Sequence, residues 1–157
     1  MKKEYVVGFF LEGTGAEFPE DVYVVLIRKS KPLWQVERLN GIGGKIEPGE
    51  LPINAMAREW YEETGTMWTS WGALFTLQHP DPAGKNEYTL YGFFTTSNDT
   101  RASELLHGRL VSGEGVIEIC NARHLPDAII GNLRWMIGLA LDADISKPVL
   151  LNDNGGN

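Results

Sequence analysis

Residues 44–66 read GKIEPGELPINAMAREWYEETGT and hold a helix, its stop and a cluster of acids. Ile53, Met56, Ala57 and Trp60 stand at i, i+3, i+4 and i+7, so the spacing predicts a helix from Ile53 to Thr64 with one apolar stripe. Gly65 supplies the stop. On the same helix Glu59, Glu62 and Glu63 stand at i, i+3 and i+4, next to the stripe rather than on it. Carboxylates placed this closely repel one another unless a cation joins them. An anionic, oxygen-only set suits a hard divalent ion, Mg²⁺ or Mn²⁺ ahead of zinc. Upstream, Gly43 and Gly44 leave the backbone open to close approach by a ligand, and Glu50 lies where it can reach back to the acids. Arg58 has a fixed charge and a fork of donors with which to hold a neighbouring carboxylate. Taken singly, an acid-rich helix face is commonly just solvated and a glycine pair commonly makes a turn. The joint spacing is what separates these readings.

Upstream of this stretch, Tyr5–Leu11 is apolar and aromatic enough for a strand, closed by Gly13-Thr14-Gly15. Asp21–Arg28 (DVYVVLIR) is apolar throughout Val22–Ile27, which predicts a strand covered on both faces. Trp34–Leu39 reads as a short strand, and Asn40-Gly41-Ile42-Gly43-Gly44 as a glycine-rich loop. Downstream, Thr66–Gln78, Asn86–Thr95 and Val116–Asn121 are strand segments, with Pro80-Asp81-Pro82-Ala83-Gly84 as a turn. Asp127–Leu141 has a second helical pattern, with Ile130, Leu133, Ile137 and Leu141 on one stripe. No repeat or linker divides the chain, so residues 1–151 are expected to form one domain and 152–157 a frayed tail. The fold expected is α/β, a mixed β-sheet packed between helices in an α/β/α sandwich.

The chain has 14 basic and 21 acidic residues, a formal charge of −7, which argues against broad binding of nucleic-acid polymers. A short anionic ligand held through metal ions stays open. With 43% hydrophobic and 22% charged residues, wholesale disorder is excluded. The single cysteine, Cys120, makes no internal disulfide and reads as a buried inert thiol. The hydrophobic run from Tyr5 ends at Glu12 without a cleavage site, and nothing approaches the ~18 apolar residues of a membrane span. The expectation is a cytoplasmic protein with no membrane partner. His79, His107 and His124 lack paired spacing and read as surface or loop residues; no Ser–His–Asp, zinc or P-loop pattern is present.

The fixed positions of the opening stretch are Gly44, Glu50, Arg58, Glu59, Glu62, Glu63 and Gly65, and their spacing resembles the box of the Nudix hydrolases. All seven match; at about 7% per position a chance match at one start is on the order of 10⁻⁸. Trp60 and Thr66 stand where the family prefers bulky aliphatic residues, both of them packing positions. The resemblance implies metal-dependent hydrolysis of a nucleoside diphosphate linked to another group. It further implies that the Gly43 carbonyl, Glu62 and Glu63 bind Mg²⁺ or Mn²⁺, and that Glu59 is the general base or a further ligand. Glu50 would assist and Arg58 would orient a glutamate. A ligand from outside the box is expected at Glu114, twelve residues before Pro126, a spacing that resembles the oxidised-purine nucleotide hydrolases of the family; Glu118 is the second choice.

Leu39-Asn40-Gly41-Ile42-Gly43-Gly44-Lys45 resembles the loop before the box in the mammalian-type 8-oxo-dGTPases of the family. That resemblance makes Asn40 a reader of the base, with Gly44 and Lys45 also at the substrate. Asn40 reads equally as a turn residue with Gly41. The acidic pair that reads the purine in those relatives has no counterpart: Ile130 and Gly131 stand there, with Asn132 beside them as a further substrate contact. Trp34, Trp68, Trp71 and Trp135 are possible faces for base stacking, though tryptophans more often fill cores; Trp60 is expected in the core. The leading expectation is a Mg²⁺-dependent pyrophosphohydrolase of a nucleoside triphosphate, acting as a monomer or homodimer. The alternatives are a hydrolase of ADP-ribose, a nucleotide sugar or a dinucleoside polyphosphate, and a non-catalytic nucleotide-binding module.

Overall fold

The structure, a computed structural model, describes residues 2–13, 21–79, 87–97, 104, 106–142 and 148–152. The turn expected at 80–84 and all but the first residue of the tail expected at 152–157 lie outside these residues; Asn152 instead ends the last strand. The strands are β1 (Lys2–Glu12), β2 (Tyr23–Lys29), β3 (Leu39–Lys45), β4 (Gly72–His79), β5 (Glu87–Ser97), β6 (Leu110–Val111), β7 (Gly115–Asn121) and β8 (Val149–Asn152). The helices are α1 (Pro52–Thr64) and α2 (Leu133–Leu141). The strands form one mixed sheet in the order β6-β7-β2-β3-β1-β5-β4-β8. β1 organises it. It runs parallel to β5 from Lys2↔Glu87 to Glu12↔Ser97. On its other edge it pairs antiparallel first with β3, Tyr5↔Lys45 to Gly8↔Ile42, then with β2 at Leu11↔Val24.

The apolar run of β2 is covered on both faces, as its pattern requires. Val25 and Ile27 join Val6, Phe10, Met56 and Trp60 in a core under α1. Val24 and Leu26 join Val7, Phe9, Met136 and Ile137 in a core under α2. Successive strand residues point to opposite faces, so β1, β2, β3, β5 and β7 each contribute to both cores. The result is the α/β/α sandwich. Among the described residues no helix is long and apolar enough to cross a membrane.

Several elements differ from the sequence reading, each for a packing reason. Of the strand expected at Trp34–Leu39 only Leu39 is in a strand, as the start of β3: Leu33–Gln35 is a 3₁₀ turn, closed by the Gln35 N–H to the Pro32 carbonyl, and Leu33, Trp34 and Val36 are exposed. The expected glycine-rich loop is instead strand β3. Its glycines are needed because β1 crowds it: a Cβ at Gly41 would overlap Val7, and one at Gly43 the Val6 carbonyl. β4 begins only at Gly72, because Trp68 and Trp71 pack down beside α1; Trp68 meets the edge of Phe10 at 5.0 Å and donates its indole N–H to Thr95 Oγ1. The second helix begins at Leu133 rather than Asp127. Before it, Leu39 N–H donates to the Ala128 carbonyl and Ile130 N–H to the Leu39 carbonyl, committing that backbone to β3.

Helix α1 is seated by its later turns, with Trp60 stacked on Phe10 at 5.0 Å. Its buried face therefore carries Ala55, Met56, Trp60, Glu63 and Thr64, while Ile53 in the first turn is exposed. Glu63 thus lies on the buried stripe, not beside it. Gly65 ends the helix in the left-handed region at φ 73°, donating its N–H to the Tyr61 carbonyl. The two unusual residues of the stretch answer each other. Trp60 takes its indole into the core, and its Nε1 donates to Thr66 Oγ1 at 3.2 Å. A buried indole N–H needs such a partner, which an aliphatic residue at 66 would not give.

Candidate active site

Arg58 is the hub of the acids. Its Nε and Nη2 fork onto Glu50 at 2.8 and 2.9 Å, and Nη1 donates to Glu59 Oε1 at 2.9 Å and more loosely to Glu62 at 3.3 Å. Nη2 also donates to the Lys45 carbonyl at 3.0 Å, tying α1 to the end of β3. The fork holds the Glu50 carboxyl below its ordinary range and Arg58 further above its own. Glu59 is half-buried, and burial raises its carboxyl against the pull of Arg58. Glu62 stands on the rim with its side chain 54% exposed.

Glu63 is different from the other three. It is 6% exposed, and its Oε2 has no hydrogen-bond partner. Burial first, then the charge of Glu59, push its carboxyl up to about 8, against the charge of Lys29 and the Gly43 N–H. Gly44 lies against the neighbouring acid: a Cβ there would fall on the Glu59 carboxylate. β3 therefore touches both Glu59 and Glu63 through two residues without side chains.

The structure places Glu114 and Glu118 on opposite sides. Glu114, in the turn between β6 and β7, is near enough for its charge to raise both Glu59 and Glu63. Burial alone would raise Glu114 too, but hydrogen bonds to Lys29 and Lys31, at 2.9 and 3.3 Å, hold it below its ordinary range. Glu118 alternates with Ile117 and Ile119, which face α1, and forks with Arg28 at 2.8 and 3.1 Å away from the acids. Among the described residues no three carboxylates or imidazoles already converge around one point; Arg58 and Lys29 hold them instead.

On the other side of Gly43–Gly44 opens a cavity of about 450 Å³. Asn40, Lys45 and Asn132 line it, so the expected substrate contacts are brought together, although Asn132 is almost a hundred positions from Asn40. Asn40 Oδ1 accepts from the Gly41 N–H and its Nδ2 donates to Gln35 Oε1, and the residue sits in strand β3 paired with Ile27 rather than in a turn with Gly41. One further donor and one acceptor site stay available on that amide. Trp34 lines the cavity while 65% exposed; Trp60 and Trp71 are buried, and Trp135 tilts onto Phe75. Sequence reasoning missed Tyr88, which lines the cavity with His79 stacked behind it at 4.8 Å, and Lys29, which lines the cavity and holds Glu114. Neither lies in a motif. Only pairing of β5 and β2 into the sheet brings them there.

Glu63 couples stability to pH. Unfolded, its carboxyl ionises near 4.5; folded, it keeps its proton to about 8. Between those values the folded state binds more protons, so stability is full below the lower value and is lost as pH rises through the upper one. The amount is on the order of 3–5 kcal/mol. With chelator present, the melting temperature is expected to fall between pH 5 and 8, and Glu63→Gln to flatten that fall. Calorimetric melts of both proteins check this; parallel curves would contradict it.

A family model described as NUDIX domain matches residues 2–127. No curated protein matches the chain significantly in sequence. Among solved structures, the chain is similar to a MutT NUDIX hydrolase from Burkholderia pseudomallei, with 15% identity, a TM-score of 0.67, and coverage of 88% of this chain and 98% of that one. It is also similar to a MutT protein from Bacillus halodurans, with 21% identity, TM-score 0.62, and 96% and 86% of the chains covered. A third is the NUDIX domain of Shewanella oneidensis NrtR complexed with ADP ribose, with 12% identity, TM-score 0.67, and 90% and 88% covered. At these identities the likeness is one of fold.

Proposed function

The chain belongs to the NUDIX family, hydrolases of phosphoric anhydride bonds, and from that we propose that it cleaves a nucleoside triphosphate, plain or modified, to the monophosphate and pyrophosphate with the help of Mg²⁺ or Mn²⁺. One observation carries this reading: the cavity ends on Gly43–Gly44, and the buried acids rest against the same two residues. A base in the cavity therefore sends its phosphates toward the carboxylates. A volume of about 450 Å³ falls within the roughly 300–1,000 Å³ usual for small-ligand sites.

Carboxylates clustered against a polyphosphate would repel it as they ionise, so the arrangement calls for a cation. The donors fit one. They are all oxygen, and the orphaned Oε2 of Glu63 is a buried acceptor still lacking its partner. The Gly43 carbonyl, Glu62, Glu63 and Glu114 would hold it, with Glu59 a ligand or the base. When bound, the ion offsets phosphate charge and acidifies a water. Arg58 fixes Glu59 by its Oε1, leaving Oε2 to accept the proton of the attacking water. The raised carboxyl of Glu59 makes it a better acceptor than a solvated glutamate. Glu50 keeps Arg58 in place. Asn40 and Asn132 supply the base edge with donors and acceptors, and Lys45 adds positive charge at the mouth.

A second reading, a diphosphate such as ADP-ribose, is favoured by likeness to a domain complexed with that compound. A panel of common and oxidised dNTPs, NTPs, ADP-ribose and a dinucleoside polyphosphate, assayed with Mg²⁺ and then chelator, tests both. Pyrophosphate from a triphosphate, abolished by chelator, is the expected result. Cleavage of ADP-ribose alone moves the chain to the second reading. Tight nucleotide binding without turnover by any compound makes it a binding module.

A further inference from the structure

Lys29, at the end of β2, joins the cavity to the acids by a side chain of positive charge. Its side chain is only 14% exposed, its Nζ lies 2.9 Å from Glu114 Oε2, and its charge acts on Glu63. It also lines the cavity. The backbone of Glu114 is pinned on both sides. The Ser30 N–H donates to its carbonyl at 2.8 Å and its own N–H donates to the Val111 carbonyl at 3.0 Å. Its second carboxylate oxygen meets Lys31, which is 61% exposed.

This arrangement conflicts with a divalent ion at the same carboxylates. An ammonium a few ångströms from a dication is repelled, and more strongly where water is partly excluded. The Glu114 backbone is pinned and its other carboxylate oxygen stays on Lys31, while the lysine stem is flexible and lines the cavity. Lys29 must therefore be the group that moves, and the side on which it has room is the cavity, where a phosphate would receive it.

We propose that Lys29 is a displaceable positioning residue, holding Glu114 in the metal-free protein and passing to the phosphate chain of the nucleotide when the ion takes its place. The inference rests on the functional reading above, because it takes Glu114 and Glu63 as the groups that hold the ion. It makes ion and nucleotide binding mutually reinforcing, since each removes a cost of the other.

The test is Lys29→Met, with Mn²⁺ alone and with the α,β-methylene analogues of ATP and GTP. Without nucleotide, electron spin resonance of free Mn²⁺ should show the variant binding the ion about tenfold tighter than wild type. In the presence of Mn²⁺, binding of whichever analogue wild type takes should weaken about tenfold. Lys29→Arg, which keeps the charge, should restore wild-type Mn²⁺ affinity, and Lys31→Met should change it less than about twofold. Unchanged or weaker Mn²⁺ binding by Lys29→Met overturns the proposal alone, as does an equal effect from Lys31→Met. If Glu63→Gln leaves wild-type Mn²⁺ affinity untouched, the functional reading falls and the proposal with it.

Discussion

Replacing Glu63 by Gln is expected to lower turnover by about 10³-fold while leaving the folded protein as stable as before, or more so at high pH. The two halves of that result come from one fact. Glu63 is a carboxylate placed in a core, on the same helix face as Met56 and Trp60, with one oxygen unpartnered. Folding alone gives no reason for it: an amide of the same shape needs no proton to be neutral, so the substitution relieves the metal-free protein. A group that stability would discard is retained for charge, and that charge is what a cation and a polyphosphate require. Glu62→Gln is expected to cost less, because Glu62 stands on the rim and shares only the looser donor of Arg58. Steady-state rates at saturating Mg²⁺, with melts in chelator, measure both halves. A Glu63→Gln enzyme of near-wild-type rate would remove the mechanism.

Gly44→Ala is expected to lower kcat by about 10²-fold with little change in melting temperature. The added methyl would fall on the Glu59 carboxylate. That carboxylate is the far end of a flexible side chain, so it can swing aside, and the fold tolerates the change. The reaction does not. Displacing a catalytic group by about 1 Å can cost roughly 10²-fold, because its alignment is what the site supplies. Gly41→Ala is the internal comparison, since its methyl would meet Val7 and Phe9 in the α2-side core rather than an acid. There, stability should suffer more than catalysis. Kinetics and thermal melts of the two variants separate the cases; a Gly44→Ala enzyme with full kcat would show that Glu59 is not the proton acceptor.

The sequence made α1 legible because its period and its glycine stop are local properties. It also showed which acids share a helix. It did not show that Glu63 is buried, since the angular position of the stripe depends on Trp60 finding Phe10, a residue fifty positions away. β3 differs from its reading as a loop for a related reason: glycine usually marks a turn, and only the crowding by Val7 at Gly41, Val6 at Gly43 and Glu59 at Gly44 shows why this strand needs three of them. The α2 boundary was misplaced because Asp127–Ile130 keeps a helical pattern while its backbone is engaged with Leu39. Asn40 and Glu114 were reached through family resemblance, and the structure places them at the cavity and beside the acids. Lys29 and Tyr88 carry no local signal. Their place is set by strand pairings across the whole chain, the Lys29–Glu114 contact alone spanning 85 positions.

The most direct measurement is phosphorus NMR of the protein with the preferred nucleoside triphosphate and Mg²⁺ in ¹⁸O-labelled water. Pyrophosphate and nucleoside monophosphate should grow together, one of them carrying a single labelled oxygen, and chelator should stop both. Orthophosphate with nucleoside diphosphate, or label in neither product, would contradict attack by water between the first and second phosphates.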